Sequence, residues 1–289
     1  MIMKFKTAVG IVAGLIGICF NGATLANSYT VNVMTFNVHY GVNAEKTNTG
    51  SDSALDQLVS FIKDKEIDVA FVQEFPHGNS HPDFKFTGER ANHLAFIKSL
   101  LPEEYTVFEE VVRNGSQHRW GKSQLIIARL PKTGAPHIKN FPTPMGNMTR
   151  QIALLKVQVN GKPLWIGNTH PWHKHDGLND EDLDTIAQFI ESTVPAGDAF
   201  VWGGDMNFDA KKRADKYKKF TGLGYKDAYA STKGKYGGIG FYNTFVKRDP
   251  GTCRLDYLFY RNIASCGNYW RGASDRSDHY AVGATFTMK

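Results

Sequence analysis

Apolar and polar positions along this chain switch between a period of two and a helical period, and the switches predict its elements. Tyr29–Asn37 alternates, with Val31 and Val33 on one face, which predicts a strand. Ser53-Ala54-Leu55-Asp56 has the form of a capping box, and Ala54, Leu55, Leu58, Val59 and Ile62 follow at helical spacing as one apolar stripe. Ile67–Val72 is apolar throughout except at Asp68, as a strand covered on both faces would be. A helix is predicted over 91–101 with Leu94, Ile97 and Leu101 inward, and strands over Tyr105–Val112 and Ser123–Arg129. Gln151–Val159 and Lys162–Asn168 are joined by Asn160-Gly161, the dipeptide of a type I′ hairpin turn. Asp180–Ser192 is amphipathic through Leu183, Ile186, Ala187 and Ile190, and Ala199–Gly203 is a short buried strand. Arg254–Tyr260 and His279–Phe286 complete the strands, Val282, Ala284 and Phe286 alternating with Gly283 and Thr285. Strands with intervening helices and one hairpin predict mixed sheets covered by helices; periodicity alone stops at α/β or α+β.

Composition changes the picture at the start of the chain. Lys4 and Lys6 precede the apolar run Ala8–Phe20, and Thr24-Leu25-Ala26 offers small residues at a cleavage position. That layout predicts a secretory signal peptide over 1–26, too short to span a bilayer comfortably, with export to the periplasm or beyond the cell. The remaining residues 27–289 show no repeat, low-complexity tract or Pro/Ser linker and are expected to form a single domain. Loss of the two lysines lowers the formal charge of +6 by two, leaving a mildly basic chain that suits a polyanion or an anionic membrane surface without choosing between them. Cys253 and Cys266 flank the strand Arg254–Tyr260; export permits a disulfide across a hairpin there, with two thiols as the alternative.

The candidate chemistry sits in polar clusters that end apolar runs: Thr35-Phe36-Asn37-Val38, Val72-Gln73-Glu74, Asn168-Thr169-His170, Gly204-Asp205-Met206-Asn207, Arg254-Leu255-Asp256-Tyr257 and Ser277-Asp278-His279-Tyr280. Each alone has a bland account, a turn-forming Asn or a solvated strand end. Asp205 and Asn207, two apart, would enter one cleft if the segment is extended, and Gly203 and Gly204 would leave room for a phosphate. An Asp there can orient and deprotonate a water while an Asn holds it. In this order the set resembles the endonuclease/exonuclease/phosphatase superfamily, the Mg²⁺-dependent phosphodiesterases that include deoxyribonuclease I, from about Val31 to Phe286.

The resemblance implies a four-layer sandwich: two packed mixed β-sheets with helices on both outer surfaces. It implies one divalent ion, Mg²⁺ with Mn²⁺ or Ca²⁺ as alternatives, held by Asn37 and Glu74 with Asp278 nearby; hard oxygen ligands suit such an ion. It implies that Asp256 fixes the tautomer of His279 and raises its pKa, and that Asp205, Asn207, Asp256 and His279 are catalytic. His170 places the chain nearer deoxyribonuclease I and the bacterial sphingomyelinases than the abasic-site endonucleases. Arg150 is a candidate phosphate contact, with a surface ion pair as its alternative. His39, and the run His170-Pro171-Trp172-His173-Lys174-His175-Asp176, depart from the family pattern; the run is expected to be a loop lining the cleft.

Two basic segments offer contacts for a phosphate backbone: Lys211–Lys219, as a cationic helix face or merely a solvated one, and the mixed basic and aromatic loop Arg113–Lys122. The glycine-rich loop Ser231–Tyr242 is expected to edge the cleft. The expected activity is a secreted, divalent-metal-dependent phosphodiesterase, a non-specific endonuclease acting by in-line water attack, with DNA ahead of RNA, as a monomer without an obligate protein partner. The alternatives are a sphingomyelinase- or phosphoinositide-type lipid phosphoesterase, and the nuclease subunit of a secreted toxin.

Overall fold

The computed structural model describes residues 29–41, 53–77, 92–108, 121–142, 150–173, 176–236, 243–245, 253–272 and 276–289. The leader expected over 1–26, residues 113–120 of the basic and aromatic loop, and residues 237–242 of the glycine-rich segment lie outside the described residues. In chain order the strands are β1 (Thr30–Asn37), β2 (Val69–His77), β3 (Thr106–Phe108), β4 (Gly121–Ala128), β5 (Lys132–Asn140), β6 (Gln151–Val159), β7 (Lys162–Thr169), β8 (Phe200–Asp205), β9 (Lys226–Asp227), β10 (Asp256–Arg261), β11 (Ser265–Arg271) and β12 (Val282–Thr287). The helices are α1 (Ala54–Asp64), α2 (His93–Leu100), α3 (Asp176–Thr193), α4 (Ala214–Thr221) and α5 (Ala228–Tyr236). Among the described residues no helix is long and apolar enough to cross a membrane.

Two six-stranded sheets form, ordered β11-β12-β1-β2-β4-β3 and β5-β6-β7-β8-β10-β9. Each contains one parallel pair, β1 with β2 and β7 with β8, and the rest is antiparallel. A parallel pair needs a crossover, which α1 and α3 supply. Period-two alternation divides the side chains between layers. Val31, Val33, Val69, Phe71 and Ile126 of the first sheet meet Leu155, Ile166, Val201 and Leu258 of the second in a buried central core. Met34, Phe36, Ala70, Val72 and Leu125 point the other way, onto Leu55, Leu58 and Ile62 of α1 and Ile97 of α2. Leu154, Phe200, Trp202 and Phe259 likewise meet Leu183, Ile186 and Ile190 of α3 and Phe220 of α4. The expected four-layer sandwich is therefore the observed one.

Local expectations hold at the capped and turned positions. Ser53 and Asp56 cap α1 reciprocally, and Asn160 (φ 49°) and Gly161 (φ 79°) turn the β6–β7 hairpin. The misses lie at sheet edges. β5, with Gly134, Pro136 and few apolar residues, is a largely exposed edge strand whose register shifts between Thr133 and His137. Proline and a bulge at an edge blunt pairing with other chains, and they also erase the alternation that would announce a strand. Residues 231–236, expected in a loop, belong to α5. Cys253 and Cys266 remain two thiols. The hairpin needed to bring them together does not exist, because β10 pairs with β8 and β9 in one sheet while β11 pairs with β12 in the other.

Candidate active site

The parallel pairs put four strand C-termini at one end of the sandwich. Asn37 ends β1, His170 follows β7 and Asp205 ends β8, while Glu74 sits where β2 breaks register between Val72 and Phe75. The antiparallel strands β10 and β12 begin at that end, bringing Asp256 opposite Asp205 and His279 just ahead of Val282. Residues scattered over more than two hundred positions thus converge because two sheets expose the same end.

Asp205 is the hub. Its Oδ2 accepts a hydrogen bond from Asn37 Nδ2 at 3.0 Å and lies 3.2 Å from His170 Nε2 and 3.6 Å from His279 Nε2. Its Oδ1 accepts from the Asn207 backbone N–H at 3.0 Å. Burial alone would push this carboxyl up; His279, His170 and the Asn207 amide outweigh burial and hold it well below the usual carboxylate range. His279 Nδ1 lies 2.9 Å from Asp256 Oδ2, so its Nε2 faces Asp205. Burial opposes a charge on this imidazole, but Asp256 and Asp205 prevail and raise its pKa to about 10. Burial pushes Asp256 up to about 6 against the pull of His279. At neutral pH the pair is therefore imidazolium and carboxylate, as the Asp partner was expected to make it.

Glu74 is 9 % exposed. Burial raises its pKa to about 7, opposed by Arg150 and reinforced by Asp278. Its backbone sits at φ 51°, a conformation that costs a non-glycine residue energy and that the β2 bulge imposes. The bulge re-aims a side chain that regular pleating would send elsewhere, and His170 Nε2 is 3.9 Å away. Asp278 and His39 approach each other at 3.8 Å, with Asp278 in the cavity wall.

Several expectations need revision. Asp205 and Asn207 do not extend side by side: Asn207 is left-handed (φ 53°), and its Nδ2 donates to Pro171 O at 2.9 Å, though both residues still line the cavity. Gly203 and Gly204 are required by the sheet rather than by a phosphate. A Cβ on Gly203 would stand 2.0 Å from Tyr257 O, and one on Gly204 (φ 144°) 1.9 Å from Thr169 O. Arg150 is neither a cleft-wall cation nor a surface ion pair. It is buried, donates to Pro171 O at 2.6 Å and stacks 4.2 Å over the Trp172 ring, fixing the loop after His170. That loop does reach the cleft, through His173. Of the basic run, Lys212, Arg213 and Lys216 line the cavity, whereas Lys219 pairs with Asp184.

Other contributors had no role assigned from sequence: Thr244 and Phe245 lie outside every motif, while Gln73, Asn168 and Arg254 stand inside motifs read for their neighbours. Thr244 Oγ1 accepts the backbone N–H groups of Leu255 and Asp256 at 2.9 and 3.1 Å, and the Phe245 ring stands edge-on to His279 with centroids 5.1 Å apart. Gln73 and Asn168, both fully buried, join the sheets beneath the cleft: Gln73 Nε2 donates to Asn168 Oδ1, and Asn168 Nδ2 donates to Val72 O and Leu125 O. Arg254 makes a bidentate pair with Asp227 and lies against the Tyr229 and Tyr257 rings, securing the strand that carries Asp256.

Among the described residues, two places could hold a cation. Ligand atoms of Asp205, Asp256 and His279 lie within 4.8 Å of one another. The Nδ1 of His279 is already engaged by Asp256 and the ring is held protonated, and an imidazolium offers no lone pair. The Glu74 side of the cavity fits better. A buried carboxylate raised to about 7 beside Asp278 is stabilised as an anion by any added cation, and both groups are hard oxygen donors. Asn37, expected as a ligand, uses its Nδ2 on Asp205 while its Oδ1 accepts from the His39 N–H, so orienting Asp205 is its visible role.

Comparison with known proteins bears on the fold and the family. A structure from Bacteroides vulgatus, described as an endonuclease/exonuclease/phosphatase, superposes with TM-score 0.68 at 21% identity, covering 90% of this chain and 99% of that one. A mannosyl-6-phosphatase from Bacteroides thetaiotaomicron gives TM-score 0.62 at 17% identity, covering 88% and 98%. A truncated TDP2 from Caenorhabditis elegans gives 0.61 at 17% identity, covering 89% and 97%. At these identities the likenesses establish the fold. No curated relative matches by sequence. The model of the Endonuclease/Exonuclease/phosphatase family matches residues 34–279, a span holding every residue of the cleft from Asn37 to His279, and the chain belongs to that family of hydrolytic phosphoesterases.

Proposed function

We propose that the protein is a divalent-metal-dependent phosphodiesterase that cleaves nucleic-acid backbones by in-line attack of water. The observation that carries this reading is one carboxylate, Asp205, faced by two buried imidazoles, one of them, His279, backed by Asp256 at 2.9 Å. His279, cationic at neutral pH, is a donor and cannot act as the base. His170 and His279 can each turn an Nε2 hydrogen from Asp205 to a non-bridging phosphate oxygen. That exchange removes two of the groups holding Asp205 down, so its basicity rises when substrate arrives. Asp205 then accepts the proton of a water held with the help of Asn207, and an imidazolium supplies a proton to the departing oxygen. A cation held by Glu74 and Asp278 would neutralise charge developing on the phosphorane-like oxygens. The leader over 1–26 supports export from the cytoplasm.

Supercoiled plasmid tests the reading. The mature protein should nick it with Mg²⁺ and not with excess chelator, and Asp205→Ala should lose at least about 10³-fold in rate. Hydrolysis of sphingomyelin or phosphoinositide vesicles by a protein that leaves plasmid intact would transfer the same chemistry to a lipid substrate and sink the nucleic-acid reading.

A further inference from the structure

The cavity of about 420 Å³ that holds Asp205 and His279 continues into a second, chemically distinct wall. The chain leaves β8 at Asp205, turns through Asn207 and Asp209, and enters α4 after Arg213, so that Lys212, Arg213 and Lys216 face the same cavity. Lys216 is only 3 % exposed, unusual for a lysine, and its Nζ is held by Asn179 Oδ1 at 2.8 Å. Asn179 is fixed in turn by donating to Trp172 O at 2.6 Å, in the loop that follows His170. The carboxylates that balance these cations stand behind them. Asp180 lies 3.6 Å from Arg213 and 3.5 Å from Lys216, Asp215 pairs with Arg213 at 2.9 Å, and neither carboxylate lines the cavity. Asp209 does line it, but its Oδ1 accepts the Lys211 backbone N–H at 3.0 Å. Lys212, Arg213 and Lys216 thus line the cavity while Asp180 and Asp215, which pair with the latter two, do not, an arrangement that leaves positive charge on this wall for an anion that enters with the substrate.

We propose that Lys212, Arg213 and Lys216 form a subsite for a second phosphate, the one adjoining the scissile phosphodiester in a nucleotide chain. The inference rests on the phosphodiesterase reading above and adds a specificity to it: the enzyme selects substrates carrying a phosphate one nucleotide from the bond it cuts. Lys216 is the rigid floor of the subsite, Arg213 the planar fork and exposed Lys212 the mobile arm.

The test compares three small substrates: a dinucleoside monophosphate, and the same dinucleotide bearing an extra phosphate on its 5′ or its 3′ terminus. The wild-type protein is expected to prefer one phosphorylated form over the unphosphorylated one by about tenfold or more in kcat/KM, mostly through KM, the scale of one charge-assisted contact. In a Lys212→Glu, Arg213→Gln variant with a wild-type thermal transition, that ratio should fall to near one; Lys212→Glu alone, a change at an exposed position, should lower it in the same direction. No wild-type preference overturns the subsite, as does a preference that survives both variants or a parallel loss on all three substrates. Hydrolysis of bis(4-nitrophenyl) phosphate but of none of the dinucleotides would instead overturn the nucleic-acid reading, and the subsite with it.

Discussion

Asp205 keeps a full negative charge in a position 2 % exposed because Asn37 and the Asn207 amide donate to its oxygens while the His170 and His279 imidazoles stand 3.2 and 3.6 Å away. Removing one supporter should therefore be read in the titration of another. Asp256→Asn keeps the shape but takes away the charge that raises His279, so the imidazole pKa should fall from about 10 toward its ordinary value near 6.5. NMR titration checks that shift, and kcat should drop about 10²- to 10⁴-fold at pH 8. Glu74 gives a second dependence, this time of stability on pH. Its folded pKa of about 7 lies above its ordinary value of 4.5, so the folded state binds the extra proton between those pH values. Stability should accordingly fall as pH rises from 4.5 through 7, by roughly 3 kcal/mol in metal-free protein. Denaturant titrations should show a decline smaller by about that amount in Glu74→Gln than in wild type, the remainder coming from Asp256, whose pKa is also raised. The individual site residues were legible because polar motifs ended apolar runs in a family order. What Arg150, Gly203 and Gly204 do was not, because a buried cation, an inter-strand contact and a phosphate contact use the same letters in sequence.

At the level of elements, the cleft depends on close backbone approach and on one bulge. Gly204 lies where β8 pairs with β7, and any Cβ there meets Thr169 O at 1.9 Å. Gly204→Ala should separate those strands just beneath His170 and Asp205, lowering stability by about 2–4 kcal/mol and activity more than stability alone would explain. Thermal unfolding alongside kcat below the transition separates the two effects. The Gln73–Asn168 pair should behave likewise: Asn168→Ala takes a hydrogen-bond partner from Gln73 Nε2, Val72 O and Leu125 O, all in the first sheet, at about 1–3 kcal/mol. The elements themselves were readable wherever burial imposed a period, as at β1, α1, β6 and β7. They were not readable at β5 and β11, where an edge strand has only one neighbour and its exposed residues are free to vary, nor in α5, whose glycine and polar residues resemble a loop. The β2 bulge was invisible too, since nothing in Val-Gln-Glu-Phe announces that register breaks at Glu74.

Across the whole molecule, two sheets share a core and contribute opposite halves of one site: Asn37, Glu74 and His279 from the first, His170, Asp205 and Asp256 from the second. A cation held by Glu74 and Asp278 binds the folded state alone and should stabilise it by mass action. Mg²⁺ is expected to raise the melting temperature, more at pH 8 than at pH 5, and to release about one proton per ion at pH 6 as Glu74 gives up its own. Calorimetry in buffers of different ionisation enthalpy measures that proton directly, and Glu74→Gln should abolish it.

The central claim is that this end of the sandwich hydrolyses phosphodiesters through Asp205, whatever the leaving group. Hydrolysis of bis(4-nitrophenyl) phosphate, which needs no recognition of base, sugar or lipid, tests it most directly. With Mg²⁺ the wild-type protein should turn over this diester, and Asp205→Asn, folded to the same melting temperature, should be at least about 10³-fold slower. A folded Asp205→Asn protein with wild-type turnover would contradict the account.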